Sequence, residues 1–514
     1  MAAHTTTKSE RLPLTGAPIR QRPRQTSSSA RWTQKLALVA CGLTAAVLVS
    51  IHFPQSTWTA IEDHPTDSAM TLHATTAFCD TTAQSSGYIQ LPKKKDGHLF
   101  YWFFESRGNP ATDPLVLWLQ GGPGASSMMA LLTENGPCMI AADGVSTVPN
   151  PTSWTRHANV IWLDQPVGTG FSYGAKHDLD HTSVDAGANV VDFLQGWLKK
   201  HPKFAQHPFF VTGESFGGHY VPAVATALLL EPKHGDVKIN LQGIAIGNGF
   251  TNPLTQMRYQ PDLLQDNAYG KVIFNDADLA AYKQNVSLIL GLTEQCYAND
   301  TLACTQATAM WTTGILAPLV TIGKVNQYDL RKAATPPTLL SLAAMRRHTS
   351  GTEPPLPQAA MQNIENDVTR AFLNNPSIQS RLHIVHNKHT RPWTDLSQDV
   401  FGAFMGDMFR NYEGYVRELL ERGVRVLIYA GDADLVCNWK GNQAWTNELS
   451  WSGQTAFQAA LQTNFTVEGV TKGVLQAAKN LAFLRLFDAG HMVPEDQPEA
   501  ALAMINRFLT NSPL

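Results

Sequence analysis

The stretch Phe209-Phe210-Val211-Thr212-Gly213-Glu214-Ser215-Phe216-Gly217-Gly218 constrains this chain most, because an apolar run of strand length breaks into a serine with glycine two residues to either side. Aromatic and β-branched residues suit a buried, pleated strand, and the glycines leave the room that a sharp strand-to-helix turn needs. Such a turn lifts the serine hydroxyl above the end of a sheet and sets the next backbone amide beside it. A Gly-x-Ser-x-Gly pentad is short enough to recur by chance, so its setting must carry the assignment. Apolar runs of similar length recur at 99–105, 115–119, 160–163, 241–246, 424–429 and 484–487, and most are separated by helical patterns such as 184–199. That alternation predicts an α/β fold with a mostly parallel central sheet, helices on both faces and antiparallel strands at the start.

A serine nucleophile needs a base within reach and a third group to orient that base. The run 424–429 leads directly into Ala430-Gly431-Asp432-Ala433-Asp434, and the run 484–487 into Asp488-Ala489-Gly490-His491-Met492. Serine, aspartate and histidine thus follow one another at successive strand ends. With 17 histidines in the chain, it is the position of His491 behind a glycine after the last strand that singles it out.

At 514 residues, 43% of them hydrophobic and 16% charged, the chain can bury a large core. A formal net charge of −3 offers neither a basic surface for nucleic acid nor an acidic tail, which leaves a small molecule or peptide as the substrate class. Residues 1–35 are rich in Ser, Thr, Pro and Arg and read as a disordered cytosolic segment or signal n-region. The apolar segment 36–53 follows, with no charge before His52, and is read as an uncleaved signal anchor in preference to a cleaved signal peptide. Either reading sends the rest into the secretory lumen and confines membrane contact to this segment. Residues 54–76 form a linker.

Six cysteines, one of them Cys41 inside the apolar segment, leave five beyond it and so an unpaired thiol. Cys296 and Cys304 are close enough to staple a local loop, with Cys79 and Cys138 remaining, although connectivity stays open at this point. Sequons at Asn285, Asn299 and Asn464 agree with a lumenal fate. From about 251 to 365 the strand pattern gives way to helical, polar and Pro-containing sequence, expected as an inserted cap over the site.

The residues then resemble the serine carboxypeptidases of the α/β-hydrolase fold, from about Phe78 to the C-terminus. The resemblance is carried by Leu117-Trp118-Leu119-Gln120-Gly121-Gly122-Pro123-Gly124, Glu134-Asn135-Gly136-Pro137-Cys138, Asn150-Pro151, Ser153-Trp154, Asp164-Gln165-Pro166-Val167-Gly168, the Gly213-Glu214-Ser215 turn, Gly247-Asn248-Gly249 and the loops bearing Asp434 and His491. It implies a peptidase domain over 77–514, with Ser215 as nucleophile, His491 as general base and then acid, and Asp434 rather than Asp432 as the orienting acid. It also implies an oxyanion hole from the amides of Gly122 and Phe216. A network of Trp118, Gln120, the Gly121 backbone, Glu134 and Glu214 would grip the substrate's free carboxylate through shared protons, with a mildly acidic optimum.

Met129, Thr133 and Met492 are expected to line the leaving-residue pocket, and Cys437 to be a free thiol near it, sensitive to mercurials. Gln120 departs from the family's usual asparagine, and Ala125 from a cysteine that ties this loop to the cap. No metal or cofactor is expected. The partners expected are peptide or protein C-termini, in a lysosome, vacuole or the exterior, with a homodimer left open. Acyl transfer or ester hydrolysis by the same acyl-enzyme, or a scaffold that has lost activity, remain as alternatives.

Overall fold

The computed structural model describes residues 78–230, 237–334 and 367–514. The expectations placed on 1–35, 36–53 and 54–76 lie outside the described residues, as does 335–365 of the expected insertion. Among the described residues no helix is long and apolar enough to cross a membrane.

Ten strands make one sheet in the order β1-β2-β6-β3-β7-β8-β11-β14-β13-β12. They are β1 Gln84–Gln90, β2 His98–Phe104, β3 Leu115–Leu119, β6 Asn159–Leu163, β7 Pro208–Glu214, β8 Asn240–Gly247, β11 Arg425–Gly431, β12 Thr463–Val467, β13 Val470–Ala478 and β14 Leu481–Leu486. A short separate hairpin pairs β4 Cys138–Ile140 with β5 Thr147–Pro149. From β6 to β14 neighbouring strands run parallel, and the strands at both edges are antiparallel. Every residue of β3 (LVLWL) and β6 (NVIWL) is buried. A parallel strand covered on both faces has no solvent side, so polar alternation vanishes and the run stands out in the sequence. Strands β12 and β13 escape the sequence reading because their residues are mostly exposed or half-buried, and β14 begins earlier than the expected 484.

Helices cover both faces. On one, α2 (Ser183–Lys200) and α3 (Gly217–Leu230) pack Val190, Phe193, Tyr220 and Val221 onto the sheet. On the other, α1 (Ser127–Thr133) and the helix Pro498–Leu509 bury Met128, Leu131, Met504 and Ile505. Local chemistry agrees with these boundaries. The Thr182 hydroxyl accepts the Asp185 amide at the start of α2, and Lys199 and Lys200 close its last turn, where the helix dipole favours cations.

Between β8 and β11 the chain leaves the sheet through α4 (Pro253–Leu263), α5 (Asp276–Tyr297), α6 (Thr301–Met310) and a π-helical turn, Trp311–Leu316. Contrary to expectation, this stretch is not free of strands. It carries a hairpin of β9 (Val325–Asn326) and β10 (Asp329–Ala333), and its helices continue beyond 365 as far as Glu413–Glu421. Both expected disulfides form, Cys79–Cys138 and Cys296–Cys304, and Cys437 is free and buried. Asn299 and Asn464 are exposed, whereas Asn285 is half-buried in α5 with its amide donated to the Gly314 carbonyl at 2.9 Å.

Candidate active site

The loops that leave the carboxyl ends of β3, β7, β8, β11 and β14 meet at one place, where open α/β sheets hold their ligands. Ser215 follows the last residue of β7 with φ +62°, in the left-handed region. Three backbone bonds hold it there: its amide donates to the Gly247 carbonyl (3.1 Å), and its carbonyl accepts from Gly218 (2.9 Å) and Phe250 (2.8 Å). A non-glycine residue held in such a region stores on the order of 1 kcal/mol, and the surroundings over-determine it. Gly121 lies against this turn. A Cβ on it would stand 2.3 Å from the Phe216 amide nitrogen and 2.7 Å from both the Glu214 carbonyl oxygen and the Ser215 Cβ. Gly122, at φ +104°, continues the loop around the serine. Among the described residues neither the Gly122 nor the Phe216 amide has a hydrogen-bond acceptor.

His491 is buried, and its Nδ1 donates to Asp434 Oδ2 at 2.7 Å, because a carboxylate can only accept. That tautomer leaves Nε2 as the basic face. Asp434 is fully buried and also accepts from Asn248 Nδ2 (2.8 Å) and from the amides of Val436 (2.9 Å) and Cys437 (3.2 Å). Asp432 faces elsewhere, accepting from the Tyr269 hydroxyl and the Asp488 amide. Asn248, from the Gly247-Asn248-Gly249 stretch, ties β8 to the acid loop; its Oδ1 accepts the Gly431 amide at 3.1 Å.

The carboxyl cluster lies under the same loop. Trp118 Nε1 donates to Gln120 Oε1 (2.9 Å), which turns the Gln120 amide nitrogen onto Glu214 Oε1 (3.1 Å). The longer side chain of Gln120 therefore spans to Glu214 without leaving its own carbonyl unpaired. Glu134 caps the end of α1, and its buried carboxyl lies close enough to that of Glu214 for the two charges to interact. Burial first, then the charge of Glu495, pushes Glu134 well above the usual carboxylate range; burial first, then the charge of Glu134, does the same to Glu214. One buried oxygen of each carboxyl, Glu134 Oε2 and Glu214 Oε2, has no donor.

The base of α1 rests on Asp164, wholly buried, which accepts from Ser126 Oγ (2.6 Å), the Ser127 amide (2.9 Å) and the Phe171 amide (2.9 Å); burial pushes it up to about 7. Met129 and Thr133 stand one turn apart on the half-buried side of α1, with Thr133 Oγ1 donating to the Met129 carbonyl, and half-buried Met492 follows His491. Ala125, standing where the family has its bridging cysteine, makes an antiparallel bridge with Leu396. The Ser126 amide donates to Asp395 and the Ser397 amide to Gly124, both at 2.9 Å, so backbone bonds hold this loop to the inserted segment. Cys437 Sγ lies within 4.8 Å of ligand atoms of Asp434 and His491, the described group that converges most like a metal site, but its carboxylate and imidazole already bond each other. Burial and the charges of Asp434 and Glu214 push its thiol up, which opposes the reactivity expected of it.

Comparison with known proteins agrees with this geometry. The profile of the family described as serine carboxypeptidase matches residues 76–511. A serine carboxypeptidase-like protein of Oryza sativa subsp. japonica is 37% identical over 431 residues, covering 83% of this chain and 92% of the relative. Carboxypeptidase Y of Candida albicans is 36% identical over 432 residues, covering 84% of this chain and 74% of its own. Among solved structures, the Saccharomyces cerevisiae prohormone-processing carboxypeptidase Kex1(delta)p shares the fold, with TM-score 0.67 and 24% identity over 84% of this chain and 91% of that one. The chain belongs to the serine carboxypeptidase family and is a serine-type carboxypeptidase of α/β-hydrolase fold.

Proposed function

We propose that the enzyme releases single residues from the free C-termini of peptides and proteins through a Ser215 acyl-enzyme, working best in mildly acidic surroundings. The observation that carries this reading is the buried Glu134–Glu214 pair next to the Ser215 turn, linked through Gln120 to Trp118. Two carboxyls bind a third only while protons are shared among them. As pH rises the pair loses its proton, the donor to the substrate carboxylate disappears and like charges repel it, so KM rises.

His491 Nε2 takes the Ser215 proton as Oγ attacks the carbonyl carbon, and the Gly122 and Phe216 amides hold the oxyanion, each worth about 3 kcal/mol in the transition state. Collapse breaks the C–N bond, and the imidazolium returns the proton to the departing amine. Water, deprotonated by the same nitrogen, then releases the shortened peptide. Asp434 keeps the Nδ1–H tautomer throughout. The Glu134 network and the Gly121 backbone receive the carboxylate, and Met129, Thr133 and Met492 receive the leaving side chain. Disulfides and exposed sequons at Asn299 and Asn464 support a lumenal peptidase domain over 77–514, delivered by residues 36–53 to a lysosome or vacuole or outside the cell.

The test compares a free-acid peptide with its C-terminal amide at about pH 5 and pH 8, with Ser215→Ala as control. Strong preference for the free acid at the lower pH alone, and no turnover by the variant, is expected. Equal turnover of the amide at low pH would end the exopeptidase reading.

A further inference from the structure

We infer that the β9–β10 hairpin, which belongs to the insertion and not to the sheet, keeps His491 in register with Asp434, and that Arg331 is the positioning residue that holds the hairpin there. The inference rests on the roles proposed above for Ser215, Asp434 and His491.

Asp434 and His491 leave different strands, β11 and β14, and each sits on a short loop beyond the sheet. The hairpin is bonded to both loops. The His491 amide donates to the Tyr328 carbonyl at 2.8 Å, the Leu330 amide to the Ala433 carbonyl at 2.8 Å, and the Leu435 amide to the Gln327 carbonyl at 3.2 Å. These three bonds bracket the acid on one side and reach the base on the other. The approach is backbone to backbone: a Cβ on Gly490 would stand 2.5 Å from the Tyr328 oxygen and 2.9 Å from the Asp329 Cβ. The buried Tyr328 ring lies 5.1 Å from the imidazole, centre to centre.

Arg331 fastens this arrangement from the outside. Its Nε and Nη2 make a two-pronged contact with Asp329 at 2.8 and 2.7 Å, and Nη2 also reaches Asp496 Oδ2 at 3.0 Å. That same Asp496 oxygen accepts the Gly490 amide at 2.7 Å, the residue before the histidine. The guanidinium fork thus joins hairpin and histidine loop through one carboxylate, a geometry that an ammonium reproduces only in part. Lys271 Nζ, bonded to the Leu330 and Arg331 carbonyls at 2.9 and 2.8 Å, supports the hairpin from beyond α4.

The experiment measures ester hydrolysis by full-length enzyme bearing Arg331→Met or Arg331→Lys, normalised to sites titrated with a fluorophosphonate. Arg331→Met is expected to lower per-site kcat about tenfold or more with KM within about twofold, because a histidine displaced by a fraction of an ångström still leaves substrate binding intact. Arg331→Lys recovers part of the loss. If Arg331→Met does not fold, Asp496→Asn is expected to lower kcat at least as far, since it cuts the links of both Arg331 and the neighbouring Lys332 to the histidine loop. Unchanged per-site kcat in the folded variants, or a change in KM alone, overturns the inference. Activity surviving Ser215→Ala would instead remove the reading on which it stands.

Discussion

Replacing Gly121 by alanine adds a single methyl group, and the structure gives its position. The new Cβ would lie 2.3 Å from the Phe216 amide nitrogen and 2.7 Å from the Glu214 oxygen and Ser215 Cβ, all on the strained turn and none of them the end of a flexible side chain. Against an ordinary contact of about 3.5 Å the shortfall is about 1 Å, so the loop after β3 must retreat by that much. A donor at about 2.9 Å from the oxyanion then stands near 4 Å and no longer bonds. Losing one such donor costs about 3 kcal/mol, or about a hundredfold in kcat. Overpacking adds about 1–3 kcal/mol of destabilisation. The assay is steady-state hydrolysis of an ester and a peptide, with thermal unfolding to establish that the variant is folded. Both substrates are expected to lose kcat alike, because both pass through an oxyanion. A folded variant that keeps kcat within about threefold of the parent would refute the argument that these two loops build the oxyanion hole.

Glu134→Gln/Glu214→Gln is expected to flatten the fall of peptide kcat/KM between about pH 6 and 8 while ester hydrolysis keeps its parental profile, since only the peptide must seat a carboxylate; a decline that survives in the double variant contradicts the shared proton. Because burial pushes Asp164 up to about 7, Glu134 up to about 8 and Glu214 up as well, while the unfolded chain titrates near pH 4, stability is fully present below that pH and declines as pH rises through these raised values. Unfolding temperatures higher at pH 5 than at pH 8 are expected, and the reverse order would count against it. Removing Cys79–Cys138, which spans 59 residues, is expected to cost about 4 kcal/mol in urea unfolding, against about 2.5 kcal/mol for Cys296–Cys304, which spans 8; equal losses would show that chain entropy is not the cause. In a secretory eukaryotic host, peptide mapping should find glycan at Asn299 and Asn464 and not at Asn285, whose amide is held by Gly314.

What was legible in the chain followed from local rules. The parallel strands could be read because burial on both faces makes them continuously apolar, and Ser215, Asp434 and His491 could be found because chemistry places them directly after such strands. The same rules overlooked β12 and β13, which are mostly exposed or half-buried, and placed the insertion's end too early. Sequence alone determined the order of the elements, the turn that carries Ser215 and the cysteines available for pairing. The tertiary structure decided that the side-chain amide of Asn248 steadies Asp434, and that Glu134 and Glu214, far apart along the chain, are buried together. Those outcomes depend on distances between loops from separate strands and on how completely water is excluded from between them, and neither quantity is written in any short run of residues.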